Sequence, residues 1–254
     1  MKSYIILLVL VLLLLPALAS AAPVQYGDLV DMPTAGILAR GAYDINLRMQ
    51  PEGNLLLGVS IALLDRLNFG FSYGGNNIIG YGNAQWNPQP GFQIKYRIFE
   101  ESYWAPGVAL GFDSQGFGRY FEEANRYATK SRGFYAAASK NYKFLGRLAF
   151  HGGANYSIEQ RRGPDNPVDV FVGLEKSLNP ELTLIGEYDF GFNDDIRDQA
   201  FGEGRGYLNA GVKWLFNQKM LMEFDLKNLT RNGYGDQPTA KISRTVKIAY
   251  FDSF

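Results

Sequence analysis

Residues 53–63 read GNLLLGVSIAL. Leu55, Leu57, Val59, Ile61 and Leu63 share one parity, while Asn54, Gly58, Ser60 and Ala62 share the other. Successive side chains of a strand point to opposite faces, so this stretch reads as a strand with one greasy face and one small or polar face. The same period of two runs along most of the chain. Tyr43, Ile45, Leu47 and Met49 oppose Asp44, Asn46 and Arg48. Leu67, Phe69, Phe71 and Tyr73 oppose Asn68, Gly70 and Ser72, and Phe92, Ile94, Tyr96 and Ile98 oppose Gln93, Lys95 and Arg97. Further apolar stripes fall in 108–112, 148–156, 168–174, 182–190, 208–216, 220–226 and 246–254, and a run of alanines hides the parity of 132–142. These segments predict an all-β chain of about twelve strands.

The ends of the chain carry separate signals. Lys2, the apolar run 5–15, Pro16 and then Ala17-Leu18-Ala19-Ser20-Ala21 have the order of a secretory signal peptide with a small-residue cleavage site after Ala21. The apolar run is too short for a spanning helix, which needs about 20 residues. Residues 1–21 are therefore assigned to the signal, 22–39 to an N-terminal segment with poor alternation, and 40–254 to the β-domain. At the other end Val246, Ile248, Tyr250 and the terminal Phe254 share a parity. An amphipathic last strand ending in an aromatic resembles the signal read by the barrel-assembly machinery of Gram-negative bacteria.

Composition removes whole classes of function. The chain has no cysteine and one histidine, which excludes disulfide scaffolds, thiolate chemistry and His-cluster metal sites. Lys+Arg and Asp+Glu both total 25, so no basic excess points to nucleic acid. No cofactor is expected.

Two observations decide between a soluble barrel and a membrane barrel. The connections alternate: short ones near Asp65, Glu101, Leu145, Asn179 and Gln218, and mostly longer ones at 74–90, 113–131, 159–167, 193–204 and 230–238. Outer-membrane barrels sort their turns this way, with short periplasmic turns and long external loops. The hairpin at Pro51-Glu52-Gly53 is the exception. The apolar parity also ends in aromatics at both strand ends: Trp104, Trp214, Phe216 and Phe254 at one, and Tyr73, Phe92, Phe112, Tyr156 and Phe190 at the other. Two girdles around an aliphatic band fit two membrane interfaces. The expectation is a transmembrane antiparallel β-barrel in the bacterial outer membrane. Its partners would be lipid and lipopolysaccharide, the assembly machinery, and a polysaccharide or small solute.

Three stretches carry a family likeness: GDLVDMPTA at 27–35, WNPQPGFQIKYR at 86–97 and SRGFYAAASKNY at 131–142. They resemble the YjbH-like outer-membrane proteins linked to exopolysaccharide production. The resemblance implies a role in export or surface assembly of polysaccharide, and it brings no catalytic residues with it.

On the polar parity, Arg48, Lys95, Arg97, Lys241 and Lys247 form a candidate basic wall, and Asp169, Glu175, Glu187, Asp189, Glu223 and Asp225 a candidate acidic wall. A twelve-stranded lumen lies between a filled barrel and a wide porin. Facing walls would make a charge-selective constriction; cross-lumen ion pairs would instead close it. Residues 22–39 are placed as a plug near the periplasmic mouth or as a periplasmic segment. Two other functions stay open. A surface barrel could act through loop 113–131, where Phe117, Tyr120, Phe121 and Tyr127 could stack on sugars. A lipid hydrolase would need His151 with Ser157 and Asn155 of the same parity, but Gly153 stands where the outer-membrane phospholipase pattern has a serine.

Overall fold

The computed structural model describes residues 25–159, 168–194, 201–233 and 240–254. The expected signal segment 1–21 lies outside them, as do 160–167, 195–200 and 234–239 within three of the expected loops. In chain order the strands are β1 (Ala42–Gln50), β2 (Asn54–Leu64), β3 (Leu67–Asn76), β4 (Gln85–Trp86), β5 (Gly91–Phe99), β6 (Gly107–Asp113), β7 (Phe117–Phe121), β8 (Arg126–Thr129), β9 (Gly133–Lys143), β10 (Arg147–Tyr156), β11 (Val168–Ser177), β12 (Leu182–Asp189), β13 (Tyr207–Phe216), β14 (Met220–Lys227) and β15 (Ser243–Ser253). Among the described residues there is no α-helix.

All but β7 and β8 join one antiparallel sheet of thirteen strands; the two-residue β4 only flanks β3, and the other twelve close on themselves as the barrel. Closure is made by β1 and β15, paired from Ala42 opposite Ser253 to Met49 opposite Val246. The C-terminal stripe Val246, Ile248 and Tyr250 is therefore the seam of the barrel. Closure removes both sheet edges, which lipid could not satisfy.

One end of the barrel carries the turns 65–66, 100–106, 144–146, 178–181 and 217–219. Asn217 and Gln218 both have positive φ (49° and 55°), the type I′ geometry that suits a tight hairpin. The other end carries 51–53 and the longer connections. Loop 114–132 is not irregular throughout: β7 and β8 pair within it as a small hairpin.

Burial is inverted relative to a soluble barrel. Leu57 and Phe71 are 51% and 62% exposed, whereas Lys213 and Glu223 are 1% and 0% exposed. Aliphatic side chains face outward and charged ones face the lumen. Trp104, Trp214, Phe216 and Phe254 are exposed at the short-turn rim, and Tyr73, Trp86 and Tyr156 at the other. Phe190 departs from the girdle expected for it. The chain leaves β12 after Asp189 and turns at Gly191 (φ 62°), so Phe190 is covered by the rings of Tyr188 and Phe192, 4.9 and 5.5 Å away. On β15, Asp252 falls on the same parity as Ile248 and Tyr250, and it accepts Lys219 Nζ at 2.9 and 3.0 Å at the short-turn rim, where a charge pair is cheap.

Candidate functional site

Residues 25–36, ahead of β1, run inside the barrel. Gly27 to Thr34 form a tight hairpin: Leu29 N donates to Met32 O at 2.8 Å, Thr34 N to Gly27 O at 2.9 Å, and Asp28 bridges Pro33. Thr34 Oγ1 donates to Tyr26 O at 2.6 Å and accepts Gly36 N at 2.9 Å, which pins the base of the hairpin. Leu29, Val30, Met32, Thr34 and Ala35 are all buried.

The tip is held by an anion nest. Glu187 Oε2 on β12 accepts the amides of Val30, Asp31 and Met32 at 3.0, 3.0 and 2.9 Å, and its Oε1 accepts Asn209 Nδ2 at 2.7 Å. Successive amides converging on one carboxylate form the concavity that binds anions elsewhere. Hydrogen bonds to a charged group contribute roughly 1.5–3 kcal/mol each, well above neutral ones.

Asp31 points the other way. Its Oδ1 accepts Arg48 Nη1 at 2.5 Å and its Oδ2 accepts Lys227 Nζ at 2.6 Å. Burial alone would favour the neutral acid, but Lys227 and then Arg48 outweigh it and hold the carboxyl at about 2. Arg48 Nη2 also donates to Val30 O at 2.8 Å. The ring of Phe117, brought in by the β7–β8 hairpin, lies 4.3 Å from the Arg48 guanidinium and 5.3 Å from Lys227 Nζ. That hairpin is tied down by Arg126, whose two terminal nitrogens donate to Asp194 at 2.7 and 3.1 Å.

Lower contacts come from other lumenal cations. Lys95 Nζ donates to Gly27 O at 2.7 Å, Lys213 Nζ donates to Asp28 O, and Arg97 Nε and Nη2 donate to Ala35 O at 2.9 and 2.7 Å. Arg97 lies near the short-turn end of β5, whereas Arg48 and Lys227 lie near the opposite ends of β1 and β14. The segment thus extends past the short-turn mouth into the long-loop half of the lumen.

Apolar contacts complete the seat. Leu29, Val30 and Met32 pack with Tyr135, Ala137, Phe171 and Ile185, and Tyr26 packs with Leu215, Leu221 and Ala249. Gly173 leaves the room for Leu29, because a Cβ there would stand 2.2 Å from Leu29 Cδ1. Sequence reasoning passed over these positions. The available signal was the presence of large apolar residues such as Phe171 and Ile185 on the otherwise polar parity.

Of the basic candidates, Arg48, Lys95 and Arg97 all bond the inserted segment. Lys247 is half-buried beside a cavity of about 140 Å³ that Lys213 also lines. Lys241 is exposed and precedes β15 rather than lying in it. Of the acidic candidates, Glu187 holds the tip; Glu175 pairs with Arg147 at 2.6 Å and Asp189 with Arg132 at 3.1 Å. Glu223 lies opposite Lys247 in the β14–β15 register and 4.0 Å from Lys213. Asp169 Oδ1 accepts Val170 N and Phe192 N at 2.8 and 3.0 Å, and Asp225 is buried. Cations therefore stand among the acids around much of the wall.

His151 is buried, with Nδ1 2.8 Å from Ser139 Oγ, which in turn accepts Ala35 N at 2.8 Å. The histidine's partner is Ser139 of β9 rather than Ser157, and together they support the base of the segment.

The sequence matches the YjbH family, described as "Exopolysaccharide biosynthesis protein YbjH", over residues 24–237. The chain belongs to the YjbH family. Its family-like stretch 27–35 is the lumenal hairpin itself. Among solved structures the chain is similar to the KdgM porin, at 10% identity over 84% of this chain and 99% of that one (TM-score 0.45). It is similar to the NanC porin at 8% identity over 84% and 99% (TM-score 0.44), and to Omp33 of Acinetobacter baumannii at 8% over 84% and 97% (TM-score 0.43). No curated protein matches the chain.

Proposed function

We propose that this YjbH-family barrel sits in the outer membrane as a narrow channel, or as an export or assembly component for exopolysaccharide, with residues 25–36 as its internal plug. The observation that carries the reading is the docking of that segment on Glu187, Arg48 and Lys227 inside a charged lumen. A barrel serving only as a surface scaffold has no need of a separate peptide seated on charged lumenal groups. The polar, charged interior offers water and hydrophilic solute a path once the segment moves. A second reading, a barrel with a permanently closed lumen, is favoured by the number of charge-assisted contacts on the same segment. We read the chain as non-enzymatic, with His151 as a packing group.

Conductance in planar bilayers separates the two readings. Purified wild-type protein should show few and small steps, and the Asp31→Asn/Glu187→Gln double variant should show larger and more frequent ones. A double variant that is as silent as the wild type would leave the closed barrel as the reading.

A further inference from the structure

The carboxylate of Asp31 is a ligand in all but covalent attachment. It arrives on a peptide that is not part of the wall, and it meets two cations that are: Arg48 of β1, 5% exposed, and Lys227 of β14, 8% exposed. Phe117 covers both from the long-loop side. A planar guanidinium beside an ammonium is a good receptor for a carboxylate, and an aromatic face above it suits the apolar face of a sugar ring. A cavity of about 160 Å³ opens beside the site toward the long loops, and Asp31, Lys227 and Phe117 all line it. Arg119 and Lys241 line the same cavity and add cationic groups to it, alongside Glu52 and the buried Arg132–Asp189 pair.

We propose that Arg48 and Lys227, roofed by Phe117, form a binding site for the carboxylate of an acidic saccharide, which the chain's own Asp31 fills in the plugged state. An acidic polysaccharide segment entering the 160 Å³ cavity competes with Asp31 first for Lys227, which lines it, and then for Arg48, which lines the 140 Å³ cavity that Phe117 also borders, and so weakens the seat of the plug. The natural ligand's identity rests on the polysaccharide reading above; the carboxylate site does not depend on conduction.

Affinity then follows the fraction of barrels in which Asp31 has left. Titration calorimetry on the detergent-solubilised full chain tests this, with a tetrameric oligomannuronate against maltotetraose of equal length. The acidic tetramer should bind and the neutral one should not. Asp31→Asn should tighten the acidic tetramer about tenfold by removing the competitor. Glu187→Gln, which loosens the tip while leaving Arg48, Lys227 and Asp31 in place, should tighten it in the same direction. Lys227→Gln should abolish binding. Heat-modifiable gel mobility checks that each variant is a folded barrel. Equal binding of both tetramers would overturn the proposal, as would affinity unchanged in both Asp31→Asn and Glu187→Gln. Inorganic phosphate displacing the oligomannuronate at equal concentration would overturn the assignment to a saccharide carboxylate. A barrel silent in bilayers that still binds the acidic tetramer would count against the channel alone.

Discussion

Glu187 Oε2 accepts the Met32 amide at 2.9 Å, joining the sixth residue of β12 to the tip of a hairpin 155 positions earlier in the chain. The same oxygen also takes the amides of Val30 and Asp31. Replacing Glu187 by Gln removes the charge and leaves a side chain with one acceptor oxygen for three amides. The docked state should lose roughly 1.5–3 kcal/mol, the contribution of a charge-assisted hydrogen bond. Amide exchange at 30–32 should quicken roughly 10–100-fold while exchange in the barrel strands is unchanged. Equal protection in the variant would show that the nest does not hold the tip.

Gly173 and Leu29 make a steric prediction. A Cβ at position 173 would meet Leu29 Cδ1 at 2.2 Å and Gly186 O at 2.9 Å. Gly173→Val should expel the tip, with a small shift of β11 against Gly186 O of β12. The chain has no native cysteine, so Val30→Cys, buried on the same hairpin tip, gives a clean probe that keeps Leu29. Maleimide labelling of Cys at 30 should be slow in the parent background and at least about tenfold faster with Gly173→Val, as expected for a docked state weakened by about 1.4 kcal/mol or more.

Asp31 sets an acid limb of docking. Its folded-state value of about 2 lies below the ordinary 3.8, so its contribution is complete above about pH 4 and is lost as pH falls through 2. Labelling at position 30, taken relative to an exposed reference cysteine at the same pH so that the falling thiolate fraction cancels, should therefore rise on acidification across that window. In Asp31→Asn the Asp31 step should vanish and labelling should already be fast at neutral pH, because Arg48 and Lys227 lose their shared partner. Breaking a buried pair in this way costs about 3–5 kcal/mol.

The outer face answers to lipid. Val59 lies mid-strand on β2 and is 43% exposed. Val59→Arg should cost about 2–4 kcal/mol of folding free energy in bilayers, the penalty for a lipid-facing arginine near the midplane. Ser60→Asp, on the opposite face of the same strand, should cost much less. Urea titrations of folding into vesicles check both.

The barrel was legible because its determinants are local. The alternation from Leu55 to Leu63 sets β2, short turns such as 217–219 set its antiparallel neighbours, and the terminal stripe of β15 meets β1 at closure. The lumenal seat was not, because each contact joins residues far apart in sequence. Asp31 meets Lys227, Ala35 meets Arg97 and Ser139, and Leu29 fits against Gly173. Parity shows that Arg48 and Glu187 face inward but not that a peptide stands between them. The β7–β8 hairpin was hidden for a similar reason: its loop composition conceals Phe117's place over Arg48.

The inside-out arrangement is the foundation of this account, and a nitroxide scan along 54–64 in lipid vesicles reads it directly. Single-cysteine variants at each position, spin-labelled, should alternate: 55, 57, 59, 61 and 63 accessible to oxygen dissolved in lipid, and 54, 58, 60 and 62 shielded from it. Absent alternation, or the opposite phase with the even positions facing lipid, would contradict the account.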